Sequence, residues 1–369
     1  MAAVHFMVVR HFISQLNESQ HESDLQGGDQ AQRIYVSRSR DFALRHWPRR
    51  PTLNTNHSQF YPQTEAPMSD TTATTPPELD TAELAKMGLV TPGSVTHLHE
   101  QFNADLTEKG FTKTTGEAKL EELKAELFSL TDRLFADTGR SVLLVLQGID
   151  AAGKDGTVTH VLNGVNPEEV DVYNFREPST EERSHDYLWR HEKAAPALGK
   201  MAIFNRSHYE NVLVTRVHPD LLWPKTTMAP PKHIWKQRYQ EINNWEKRLH
   251  DQGTIIIKFF LHISKKEQGK RFLARIDDPS KNWKVSATDM TERGFWDEYT
   301  TAFTDMLNHT STDYAPWYVL SMDHKWSGHL QAIAIMIERL KEANPQYPVV
   351  DEKMQAILKQ MKAELLAGK

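Results

Sequence analysis

In the run Ser141-Val-Leu-Leu-Val-Leu-Gln-Gly-Ile-Asp-Ala-Ala-Gly-Lys-Asp-Gly-Thr157, an apolar stretch leads directly into glycines, a lysine and two carboxylates. Gly148 and Gly153 let the backbone bend so that consecutive N–H groups converge on a polyanion. Lys154 adds a point charge, and a following helix aims its positive end at the same place. The chemistry of such a loop is phosphate binding, with Gly148, Gly153, Gly156 and Thr157 as the residues that approach the substrate. Most loops of this kind carry a hydroxyl after the lysine as a magnesium ligand; here Asp155 takes that position and Asp150 lies inside the loop. Hard cations take oxygen ligands, so Asp150 is the expected principal metal ligand. Asp155 is either a weaker ligand or a carboxylate favoured by the helix dipole. The loop also has a bland reading, as a turn from strand to helix, but that leaves Lys154 beside Asp150 unexplained.

A second apolar run, Met201-Ala-Ile-Phe204, ends in Asn205-Arg-Ser-His-Tyr-Glu210. Arg206 is the candidate for stabilising charge on a phosphoryl group in transfer, since guanidinium is planar and permanently charged. The alternative is a surface ion pair with Glu210, four residues on. His208 and His218 invite a nucleophile reading, but a histidine nucleophile needs an orienting carboxylate, and none is evident locally. His185, Asp186 and His191 fit one helix over Ser184–Glu192 better than a metal cluster.

From 264 to about 300 the chain reads as a basic helix, a breaker at Asp277-Asp-Pro279 and a second polar helix. Such a pair over the phosphate loop would form a lid that excludes water. Arg271, Arg275, Lys281, Lys284 and Arg293 are its candidate substrate contacts, and Arg176 joins them. A run of charge is most often a solvated face, so only some of these are expected to serve.

The elements that must position these groups follow from periodicity. Leu120, Leu123, Leu127, Leu130 and Leu134 recur in steps of three and four, marking one face of an amphipathic helix before the first strand. Apolar runs at Val170–Phe175, Lys200–Phe204, Thr254–His262 and Trp317–Met322 add four strands, separated by long mixed segments rather than tight turns. That spacing predicts an α/β fold: a parallel five-stranded sheet covered by helices on both faces, with ligands outside the strands' carboxyl ends. Met354, Ile357, Leu358, Met361 and Leu365 form a last helical face, expected to pack on the body, within a C-terminal segment at 346–369.

Composition sets the limits. With 369 residues, 39% hydrophobic and 25% charged, the chain can bury a sizeable core. The net charge of −5 argues against generic nucleic-acid binding, although the region around the loop concentrates Arg and Lys. There is no cysteine, which excludes disulfides, thiolate metal sites and cysteine nucleophiles and suits the cytoplasm. No long apolar run predicts a membrane span. Residues 1–67 hold seven Arg and no Lys, and the acidic Glu18, Glu22, Asp24, Asp29, Asp41 and Glu65 argue against a transit peptide. Met68 opens a polar segment, so residues 1–67 read as an artefact of an upstream start assignment. Residues 1–90 are expected to be disordered, with the folded domain at 91–345.

With these pieces in order, residues from about 90 to 340 resemble the polyphosphate kinase 2 family, most closely its single-domain members that act on nucleoside mono- and diphosphates. The resemblance is carried by Gly148-Ile-Asp-Ala-Ala-Gly-Lys-Asp-Gly-Thr157, Asp186-Tyr-Leu-Trp-Arg190 and Ile203-Phe-Asn-Arg-Ser-His-Tyr-Glu210 with Val217-His-Pro219. Lys258-Phe-Phe-Leu-His-Ile-Ser-Lys265, Asp277-Asp-Pro-Ser-Lys-Asn-Trp-Lys284 and Ala315-Pro-Trp-Tyr318 complete it. It implies a P-loop kinase-like three-layer fold with a helical lid, Mg2+ (or Mn2+) as cofactor, and reversible transfer from inorganic polyphosphate to AMP or ADP, linking it to ATP. It also implies a homo-oligomer. By position, Asp150 is similar to the family's Walker A metal ligand, Lys154 to its phosphate-binding lysine and Arg206 to the arginine of the Walker B region. Many relatives have aspartate before that arginine. Here Asn205 stands there, as in members that accept monophosphates, which makes Glu210 the expected partner of Asp150 at the metal. Asn211 also replaces an expected aspartate and lowers the charge available to a cation. The alternatives are an ATP-dependent nucleotide kinase and a non-catalytic nucleotide- or phosphate-binding regulator.

Overall fold

The chain divides into two units, Met1–Thr72 and Ala73–Lys369. The computed structural model describes residues 80–102, 106–222 and 232–368, all within the second unit. The expectations for residues 1–67 therefore lie outside the described residues. The folded body begins before residue 91, because helix α1 (Thr81–Met87) is capped by Asp80 and buries Leu84. Leu89 then bridges to Tyr318 and Val90 is buried. Disorder does not extend to residue 90, since these apolar side chains find a core.

The long helix α2 (Lys113–Asp137) starts at a capping box built by Thr112 and Thr115 and buries the five leucines of the predicted stripe. It feeds β1 (Ser141–Gln147), which is followed by α3 (Lys154–Val161), β2 (Val170–Asn174), α4 (Thr180–Ser184), α5 (Trp189–Lys193) and β3 (Met201–Asn205). Beyond short helical turns come α6 (Ile234–Asp251), β4 (Thr254–His262), α7 (Lys265–Ile276), α8 (Asp289–Gly294), α9 (Trp296–Thr310), β5 (Trp317–Ser321), α10 (Lys325–Ala343) and α11 (Glu352–Leu366). The single helix expected over Ser184–Glu192 is instead two short ones. Asp186 accepts from the Leu188 N–H between them, and that local bond competes with helix continuation.

All strand pairs are parallel, in the order β2-β3-β1-β4-β5. The central strand β1 is buried along its whole length. Val142, Leu144 and Leu146 join a core with α2 and α10 on one face, while Leu143 and Val145 join a second core with α6 and α9 on the other. This is the three-layer α/β arrangement expected from continuous apolar strands. Most of α10 from Trp326 to Ile337 is buried, as suits a helix apolar on nearly every side. By contrast, α11 buries no residue at all, so its apolar stripe is not packed on the body. Among the described residues no helix is long and apolar enough to cross a membrane.

Candidate active site

The connection after β1 leads outward to β2, whereas the chain after β3 crosses to β4 on the other side, so the carboxyl ends of β1 and β3 frame the crevice where such sheets bind ligands. Pairing of Leu146 with Asn205 sets the Gly148 loop beside Arg206. Gly148 has φ 155°, and a Cβ there would fall 2.7 Å from the Leu261 carbonyl oxygen, so only glycine fits. Gly153 caps α3 at φ 113°. Ala151 and Arg206 hold left-handed backbones at φ 65° and 61°, conformations that cost non-glycine residues energy and cluster at functional sites.

The loop is gripped from α7. Gln268 donates to the Asp150 carbonyl at 3.0 Å, and Arg271 Nη1 donates to the carbonyls of Ala151 and Ala152 at 3.0 and 2.9 Å. Arg271 also reaches the Met322 carbonyl and Glu267. A trans peptide points its N–H away from its carbonyl, so holding three successive carbonyls on the α7 side turns the following N–H groups the other way.

Five charged side chains, Asp150, Lys154, Asp155, Arg206 and Glu210, gather at the crevice. Arg206 donates from Nη2 to Asp150 Oδ1 at 2.7 Å, both groups being about a third exposed. Lys154 donates to the carbonyls of Gly148 and Ile149 at 2.6 and 3.3 Å, leaving one N–H of its ammonium for another acceptor. Burial, and then the Arg206 guanidinium, pull Lys154 down to about 8 against the opposing fields of Asp150, Glu210 and Asp155. Glu210 thus lies within electrostatic range of both Lys154 and Arg206. Asn205 donates to Asp155 at 2.7 Å, tying the end of β3 to the first turn of α3. The ion pair of Arg206 is with Asp150 across the crevice.

Several of the other candidate residues turn to backbone or to neighbouring side chains. Thr157 is buried and donates its hydroxyl to the Gly153 carbonyl within α3, the usual alternative for a helical threonine. Gly156 lies in that helix, where a Cβ would meet only His329 Nε2, at 4.0 Å. Arg271 is buried and holds the loop rather than reaching out from a lid. Arg293 donates to the Lys265 carbonyl and to Gln268, joining α8 to α7. Arg275 is half-buried over the Phe272 ring, Lys284 is exposed beside Trp283, and Arg176 is exposed past the end of β2. Asn211 is buried and donates to the His208 carbonyl in its own turn, so it is an element of that turn's structure.

One feature of the site is not evident from the local motif. Lys258, in the middle of β4 and fully buried, donates to Glu246 at 2.6 Å, to Tyr209 Oη at 2.9 Å and to the Thr310 carbonyl at 2.7 Å. Tyr209 and His208 also contact Glu246, at 2.7 and 3.2 Å. Burial alone would raise the Glu246 carboxyl, but Lys258 and His208 outweigh it and hold the group below its ordinary value. This network anchors the segment between Arg206 and Glu210 from behind. His208 does have a carboxylate partner, Glu246, but the pair is sealed from solvent. The available signal was a lysine between Ile257 and Phe259 in an apolar strand, which demands a buried counter-charge.

Comparison with known proteins agrees with this geometry. The pattern defining Polyphosphate kinase 2 (PPK2) matches residues 110–348. An ADP-polyphosphate phosphotransferase of Rhodopseudomonas palustris is 44% identical over 243 residues, covering 65% of this chain and 84% of that protein. An AMP/ADP-polyphosphate phosphotransferase of Meiothermus ruber is 43% identical over 229 residues, covering 62% and 82%. The crystal structure of Polyphosphate Kinase 2 from Arthrobacter aurescens TC1 superposes with a TM-score of 0.68 at 36% identity, over 79% of this chain and 98% of that one. A parallel sheet with a lysine-tipped glycine loop facing an arginine after β3, matched over most of the folded body by these relatives, means that this chain belongs to the polyphosphate kinase 2 family.

Proposed function

We propose that the protein transfers the terminal phosphoryl group of inorganic polyphosphate to AMP or ADP, reversibly and in line. A phosphate oxygen of the nucleotide forms the new P–O bond as the bond to the chain breaks, and the shortened chain leaves with those electrons. The observation that carries this reading is the convergence of Lys154, Arg206, Asp150 and Glu210 at the end of β1 and β3. Phosphoryl transfer needs mainly positioning and charge neutralisation, which two cations and a loop of aimed N–H groups supply. The named activities of the relatives support the same reaction.

Asp150 and Glu210 would hold Mg2+, or Mn2+ in its place, which would supply positive charge to offset that of the phosphates. Among the described residues no group of three or more His, Asp or Glu could hold an ion. Two carboxylates with water and substrate completing the shell is the ordinary arrangement for Mg2+, so the donor set fits. Lys154 and Arg206 would orient the reacting phosphates, and Arg271 would act through the loop it holds. Arg176, Arg275 and Lys284 remain available to phosphates at the rim.

The test is to incubate the protein with Mg2+, long-chain polyphosphate and either AMP or ADP. Formation of ADP or ATP that depends on polyphosphate is expected. Transfer from ATP alone would indicate a conventional nucleotide kinase, and binding without turnover a regulator.

A further inference from the structure

The two walls of the crevice, the phosphate loop after β1 and the segment after β3, are joined through a third element. Helix α8 carries adjacent residues of opposite charge, Glu292 and Arg293. Neighbours on a helix point about 100° apart, so one short helix can reach two partners in different directions. Arg293 turns to the loop wall: its Nη1 donates to Gln268 Oε1 at 2.6 Å, and Gln268 donates in turn to the Asp150 carbonyl at 3.0 Å. Glu292 turns to the other wall, where its Oε2 accepts from His218 Nε2 at 3.0 Å. His218 ends the helical turns that follow Arg206 and contain Glu210.

The same Glu292 oxygen accepts from Tyr299 Oη on α9 at 2.8 Å. Burial and then the hydrogen bond to Glu292 hold Tyr299 well above its ordinary value, so the hydroxyl keeps the proton it donates. The Phe295 ring stands edge-on to the His218 imidazole with centroids 5.0 Å apart, which fixes the plane of the donor. Glu292 is thus the carboxylate that His218 lacks in its own stretch of sequence, 74 positions away. Hydrogen bonds weaken steeply with distance and angle, so both sets of contacts hold for only one placement of α8 between the walls. A misplacement of about 1 Å can cost a reaction of this kind about a hundredfold in rate.

We propose that Glu292 is a positioning residue: with Arg293 it makes α8 a strut across the crevice, holding the Arg206–Glu210 segment in place against the phosphate loop and keeping water from the reacting phosphates. The chemical part of this role rests on the polyphosphate-dependent reading above; the mechanical part rests on the contacts of α8 alone.

The test compares the full chain with its His218→Ala, His218→Gln, Glu292→Ala and double alanine variants. Glutamine carries an amide N–H that can donate to Glu292 in place of the imidazole, so it separates the hydrogen bond from the ring. Two quantities are read: backbone hydrogen exchange over residues 289–295 without substrate, and, with Mg2+, polyphosphate and ADP, the orthophosphate released to water for each ATP formed. For His218→Ala, exchange in that segment should be about tenfold faster with the sheet unchanged. Its kcat should fall about tenfold with KM for ADP within about twofold, and the ratio of water to nucleotide as acceptor should rise about fivefold. His218→Gln should recover most of each change, and the double variant should be no worse than Glu292→Ala, since both remove one shared contact. Glu292→Ala, on a helix that buries no residue, reads that contact even if His218→Ala fails to fold. Unaltered exchange in the alanine variants, a glutamine variant as impaired as alanine, or additive losses would overturn the proposal. The exchange arm does not need turnover: faster exchange confined to residues 289–295 in a protein that transfers nothing from polyphosphate would support the strut while overturning the proposed function.

Discussion

At Lys154 the geometry gives pH a direct handle on substrate binding. Its ammonium, drawn down to about 8, is the form that attracts phosphate. Affinity for polyphosphate should therefore be full below that value and fall as pH rises through it, and Lys154→Arg should remove the step from a plot of apparent KM against pH. The stability sign is opposite. A lysine with a lowered folded-state value disfavours folding while protonated, and that penalty fades as pH climbs from about 8 toward the ordinary lysine range. Arg206→Ala should lower kcat by about a thousandfold with a smaller change in KM, because its charge matters most as the phosphoryl group moves. Asn205 answers a different question. Asn205→Asp would set a carboxylate against Asp155, which now accepts its amide at 2.7 Å, and should cost about 1 kcal/mol in metal-free buffer. Added Mg2+ should restore the melting temperature if a cation can sit between the two; no recovery would count against a metal position near α3.

Buried side chains on the elements around the site hold its backbone in place. Arg271 and Gln268 on α7 fix three carbonyls of the phosphate loop, and the Lys258–Glu246 pair fixes the segment after β3. Lys258→Met should destabilise the protein by about 3–5 kcal/mol, seen as a lower denaturant midpoint, because Glu246 would be left buried and unpaired. Adding Glu246→Leu should recover a large part of that loss; if the double variant were as unstable as the single, the unpaired charge would not be the cause. α2 and the strands were readable from residue spacing, because a one-sided core imposes periods that survive in sequence. The break between α4 and α5 was not, since a single Asp186 hydrogen bond decides it.

Among the described residues, burial is concentrated on the two faces of the sheet, and α11 stands apart from both. Its stripe of Met354, Ile357, Leu358, Met361 and Leu365 is exposed throughout. Removing residues 351–369 should change unfolding free energy by less than about 1 kcal/mol, measured by thermal or denaturant melts, since no buried contact is lost. A large loss would mean that the helix packs on something in solution.

The amino-acid sequence alone determined the phosphate loop, the parallel sheet, the main helix face and the family, because each is written in local spacing of glycine, charge and apolar residues. It also singled out Asp150, Lys154 and Arg206, which the structure brings together as one charged centre at the ends of β1 and β3. Only the tertiary structure decided which of the many other polar residues face that centre. Arg271, Thr157, Asn211 and Arg293 turn to backbone or to neighbouring elements, while Glu246, twelve residues before Lys258 and on a different element, supplies the buried charge behind Arg206. A side chain's partner is set by where folding brings distant elements together, and residue spacing along one element carries no record of that distance.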